Sequence, residues 1–247
     1  MSIKFLAGVV MSALIVTSSV SATSVEEVQK EADKLREEGK SLMAISLYNE
    51  SIVGHLKAKD YAGVIEALTG RLLSWKHLFY KTDDTLYAIL VKKEAEAIQE
   101  VANFYHVSDR MHLIHFLKAT AATLLKDYRN AEEEFRKSIE LYPNDNAEKG
   151  DMIAHLGDAM YRNGKKEEGK KTILNGIEVM KAKSSQVDSF LLNVWISGAY
   201  LRLAKLLKAD NPEESRKFLN QAEQIINSDS RLVIRKQQLE SFQLQDK

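Results

Sequence analysis

The sequence predicts an all-α protein, and three observations carry that prediction. From Ser24 onward apolar residues recur at helical spacing almost without interruption. Only 2 prolines and 11 glycines occur in 247 residues, too few for the many tight turns that a sheet protein needs. Breakers fall at Gly39, Asp60, Thr82 with Asp83, Ser108, Pro143, Gly164, Ser184 with Ser185, and Pro212, and the segments between them are of ordinary helix length.

The first segment reads differently from the rest. Lys4 precedes an apolar run from Phe5 to Val16, a small polar stretch follows, and Val20-Ser21-Ala22 places small residues where a signal peptidase cuts. The run is short against the ~20 residues of a membrane span. Residues 1–22 are therefore expected to be a cleaved export signal, with the mature chain starting at Thr23 and released outside the cytoplasm. After Thr23 the composition changes abruptly to Glu26, Glu27, Lys30, Glu31 and Asp33. No later segment is expected to be long and apolar enough to span a membrane.

Along the remaining chain a pattern repeats. In the first pair of segments Ala32 and Leu35 precede Gly39, and Ala44, Tyr48, Ser51 and Ile52 follow it. Farther on, Tyr128 is followed by Ala131, Phe135, Ser138, Ile139, Tyr142 and Pro143; from Ala131 to Tyr142 these lie on one helical stripe. Small residues at 131 and 138 let a partner helix approach, and Phe135 fills the space between. The next unit carries Leu156-Gly157, Gly164, Gly169, Ile173, Gly176 and Ile177, and the last carries Gly198, Leu201, Pro212, Ser215, Leu219 and Ala222. This pattern resembles the tetratricopeptide repeat: a small residue in the first helix, a turn, then small, large and small residues in the second. Intervals between Ala44, Ala131, Gly169 and Ser215 exceed the family's ~34-residue unit, which places extra length in loops and in one longer helix. The longest interval leaves room for a further hairpin over roughly 60–105, helical in pattern but unlike the template. The resemblance is strongest at 112–145 and 150–182. After Asp229 a last helix with Leu232, Leu239 and Phe242 suits a cap on the end of a solenoid. Residues 23–247 thus read as one domain of about five helical hairpins and a terminal helix.

Composition excludes several functions. Lys plus Arg number 35 and so do Asp plus Glu, so the basic excess of a nucleic-acid binder is missing. With no cysteine there is no disulfide, thiolate metal site, cysteine nucleophile or lipid-attachment cysteine. His112 and His115 stand three apart on one helix with His106 upstream, yet no carboxylate completes a zinc signature, and His115 takes an apolar-stripe position. Asp83-Asp84 reads as a helix cap, and Asn144, Asp145 and Asn146 as a turn without calcium-loop spacing. Glu-x-x-His diiron ligands, a nucleophile elbow and phosphate or dinucleotide loops are missing from the sequence. The runs Glu132-Glu133-Glu134 and Lys165 to Lys171 are expected on a solvated outer face. No catalytic residue, cofactor or metal is expected.

What function remains comes from the resemblance. Tetratricopeptide proteins stack their hairpins into a right-handed superhelix whose first helices line a concave groove that binds segments of other proteins. Carried onto this chain, the family's groove positions are Phe116 and Thr120, then Asp158, Tyr161 and Arg162, then Trp195 and Arg202. Aromatics with Arg resemble the anchors that dominate protein interfaces, whereas Phe116 and Trp195 also suit core positions. The resemblance implies a non-catalytic scaffold or adaptor of the bacterial envelope, periplasmic or secreted, whose partner is another protein or peptide. Its rivals are an enzyme or accessory subunit built on a helical frame and a self-associating structural module. Fold alone does not decide among them.

Overall fold

A computed structural model of the chain describes residues 24–244. The export signal expected at 1–22, and the expected start at Thr23, lie outside the described residues. Among the described residues there is no strand, and the chain forms eleven α-helices. They are α1 (Val25–Glu37), α2 (Ser41–Ala58), α3 (Tyr61–Thr82), α4 (Thr85–Phe104), α5 (Met111–Leu124), α6 (Tyr128–Leu141), α7 (Ala147–Arg162), α8 (Lys166–Ala182), α9 (Ser189–Leu207), α10 (Pro212–Ser228) and α11 (Val233–Leu244).

Local chemistry sets these boundaries. Ser24 and Glu27 form a reciprocal capping box at the start of α1. The side chains of Asp60, Asp84, Asp127, Asn146, Asp188 and Asn211 accept backbone N–H groups at the starts of α3, α4, α6, α7, α9 and α10. Gly39 and Gly164 stop α1 and α7 with positive φ, a conformation that costs glycine little. Lys59, Asp83, His106 and Lys126 adopt the same left-handed conformation without being glycine, so the breaks that follow α2, α3, α4 and α5 are sharper than composition implies.

Helices adjacent in sequence pack against each other from α1 through α10, which gives a helical-repeat-like array. The apolar core is accordingly a row of clusters: one across α1–α3, one across α3–α5, one across α5–α7, and one from α7 to α11. Helices α7 and α8 approach so closely that Gly157 faces the Gly169 carbonyl; a Cβ on Gly157 would stand 2.6 Å from that oxygen.

Three expectations need correction. Glu132 and Glu134 are buried, not solvated; only Glu133 of that run faces water. Each lies at a seam between neighbouring helices: Glu132 accepts from Lys165 Nζ (2.7 Å), Asn163 Nδ2 (2.9 Å) and Arg136, and Glu134 pairs with His115 Nδ1 (2.6 Å). Burial alone raises the Glu132 pKa, but bonds from Lys165, Arg136 and Asn163 outweigh it and hold the carboxyl down to about 2. Helix α9 has the length and apolarity of a membrane span, with a mean hydropathy of 1.3; half of it is buried within the protein, and it carries Arg202 and Lys205. Finally, α11 does more than cover the last hairpin. Leu239 and Phe242 join the core of α9 and α10, while α11 also touches α3, and Gln237 and Ile234 reach the α1–α2 turn at Gly39. The last helix closes back on the first hairpin because its apolar stripe and its polar face both find partners.

Candidate functional site: the face shared by α3, α7, α9 and α11

Side chains of α3, α7, α9 and α11 meet on one interior face. On α7 and α9, Arg202 donates to Asp151 Oδ1 (3.1 Å) and lies 2.9 Å from His155 Nε2. The Phe116 ring of α5 stands edge-on to His155, with centroids 5.1 Å apart, and Phe135 backs both rings from α6. From α11, Arg235 donates through Nε to the Val194 carbonyl (3.0 Å) and lies against Gly198, so its guanidinium is fixed over the middle of α9. Lys76, His77 and Tyr80 come from the last turns of α3.

The electrostatics are lopsided. Lys76, Arg162, Arg202, Lys205 and Arg235 act on one another here, with Asp151 and Asp158 as their carboxylates; Arg36 at the edge is already paired with Glu37 and Asp33 and adds no positive charge. Burial pushes the Lys76 ammonium down to about 8, and the neighbouring Arg235 and Arg202 add to the shift against Asp151. His77 and His155 are held well below the ordinary histidine value by burial and then by these cations, so both rings are neutral at pH 7. Two buried side-chain nitrogens of this face, His77 Nδ1 and Arg202 Nε, lack a hydrogen-bond partner among the described residues. Unmatched buried polar atoms are uncommon in folded proteins and mark places worth explaining.

The expected groove residues separate into three groups. Phe116 and Arg202 do come together, through His155. Asp158 and Arg162 form an ion pair (3.1 Å) at the edge of the same face, and the Arg162 guanidinium lies over the Tyr128 ring. Trp195 is half-buried and lines a separate shallow cavity with Asn146, Val187 and Leu191. Thr120 and Tyr161 do not offer themselves to a partner. Thr120 is 5% exposed, with its hydroxyl donated to the Phe116 carbonyl one turn back. Tyr161 is 7% exposed, packed into the apolar cluster that runs from α7 to α11, and its hydroxyl donates to Asp210 Oδ2 (2.8 Å). Lys76, His77, Tyr80, Asp151, His155, Lys205 and Arg235 escaped the sequence reading. Lys76, His77, Tyr80 and Arg235 lie on α3 and α11, where no template assigns a face.

The arrangement offers cations, neutral imidazoles and aromatic edges. Among the described residues no group of three or more His, Cys, Asp and Glu side chains is placed to hold a metal ion. Seen as a whole, the fold is similar to that in the crystal structure of BtubC (BKLC) from P. vanneervenii, with a TM-score of 0.56 and 17% identity. The likeness covers 83% of this chain and 80% of that one. No family model matches the sequence, and no curated protein matches it.

Proposed function

We propose that this chain is a non-catalytic scaffold of the bacterial envelope, exported by its N-terminal segment, that holds a segment of another protein on the face shared by α3, α7 and α9. In this reading the hairpins stack as a right-handed superhelix of the tetratricopeptide kind, and α1, α3, α5, α7 and α9 are its first helices. One observation carries the proposal. Aromatic and charged side chains on first helices of separate hairpins converge on one face, and several of them have binding capacity left over after packing. A surface of that composition, with aromatics beside Arg, is the kind that supplies interface anchors.

Tyr80 and Lys205 are exposed members of this face and have no structural bond to lose. In affinity capture from the native envelope, Tyr80→Ala combined with Lys205→Glu is expected to lower recovery of the partner at least about tenfold. Truncating an interface anchor typically costs ~2 kcal/mol or more. The variant's circular dichroism should match that of the parent. Undiminished capture by the folded variant would place the binding surface elsewhere.

A further inference from the structure

We infer that the interior cation cluster of α3, α9 and α11 is a binding site for an oxyanion bearing at least two negative charges, a phosphate ester or a pair of carboxylates. The inference stands apart from the scaffold reading, since the site would bind such a group whether or not it belongs to a protein. It also draws on α11 and on the 60–105 hairpin, neither of which matches the repeat.

Four observations converge. Lys76 is half-buried and makes no ion pair or hydrogen bond among the described residues. Arg235 is held by a backbone carbonyl and by Gln238 Oε1 (2.8 Å), neither of which carries charge. Arg202 spends one N–H on Asp151, and its Nε is buried and unused; His77 Nδ1 is likewise unused. Asp151 alone is shared by Lys76, Arg202 and Arg235, so this part of the face keeps an excess of positive charge. Like charges brought together in half-buried positions oppose folding unless something compensates them. An anion with several acceptor oxygens would meet the Lys76 ammonium, the Arg202 Nε–H and the Arg235 guanidinium together, and charge-assisted bonds of this type are the strong ones. Because Lys76 lies on α3 and Arg235 on α11, the occupant would also tie the last helix to the third.

The test uses the protein with two probes, inorganic pyrophosphate and a hexaglutamate peptide, by titration calorimetry at constant ionic strength. Saturable binding of at least one probe below about 1 mM is expected. Lys76→Met and Arg235→Gln should each weaken it about tenfold, the loss typical of one charge-assisted hydrogen bond, while Lys171→Gln on the exposed side of α8 should leave it unchanged. Whichever probe binds tighter identifies phosphate or carboxylate as the natural group. Lys76→Met carries the test if Arg235→Gln fails to fold. Without anion, Lys76→Met should melt no lower than the parent, because it removes an uncompensated charge. No saturable binding of either probe, or equal affinity in Lys76→Met, would overturn the inference. So would a lower melting point of unliganded Lys76→Met, which would mean that the lysine serves the fold.

Discussion

Replacing Phe135 by alanine is expected to destabilise the protein by about 3–5 kcal/mol, the range for removing a fully buried aromatic. Phe135 is 1% exposed and sits where α5, α6 and α7 meet. Its ring is packed edge-on against Phe116 at 5.4 Å and tilted over His155 at 5.6 Å. The other lining residues include Ala119, Ala122, Ala131 and Ala159. Alanines have no side chain that can swing into a vacated space, so the cavity would stay largely open and its full cost would be felt. Phe135→Leu should lose much less, roughly 1–1.5 kcal/mol, because most of the volume remains. Denaturant unfolding followed by circular dichroism separates the two. Equal midpoints for both variants would show that the ring does not fill this junction. The alanine variant should also loosen Phe116 and His155, which links the core to the interior face.

The second large effect lies at Gly157. A leucine there should cost ~3 kcal/mol, the upper end of overpacking, because the obstacles are backbone atoms. A Cβ would stand 2.6 Å from both the Gly169 carbonyl oxygen and the Ile173 nitrogen, and neither can rotate away. The helices would have to part along their length, since Gly150 and Gly176 make the same kind of contact farther along. The sign for alanine is more diagnostic still. In an open helix Gly→Ala stabilises by up to ~1 kcal/mol, whereas here Gly157→Ala should lower the melting point. A rise would mean that α7 and α8 are farther apart than described.

Much of this fold was legible because helices advertise their ends and their close contacts. The breakers at Gly39, Asp60, Asp83, Gly164 and Pro212 coincide with turns or caps, and Gly157 stands at a helix crossing as a small residue in a stripe implies. What stayed hidden depends on neighbours remote in sequence. Periodicity places Glu132 on the side of α6 away from its hairpin partner, but it cannot show that Lys165 and Asn163 arrive from the next hairpin to bury it. No breaker residue marks the α5–α6 break, because Lys126, an ordinary helix residue by type, takes the left-handed turn; only the repeat pattern beginning at Tyr128 implied it. Of the expected binding residues, Phe116 and Arg202 meet at His155, while Thr120 and Tyr161 are consumed by packing and local bonds. Lys76 and Arg235 could be found only from the closure of α11 onto α3, which no local pattern in either helix announces.

If the chain is the scaffold proposed, partners engage the interior face of its first helices. A photoreactive amino acid placed at Tyr80, on that face, and separately at Lys171, on the exposed side of α8, tests this in the native envelope. Covalent adducts with another protein should form at position 80 and not at 171; adducts at 171 with none at 80 would contradict it.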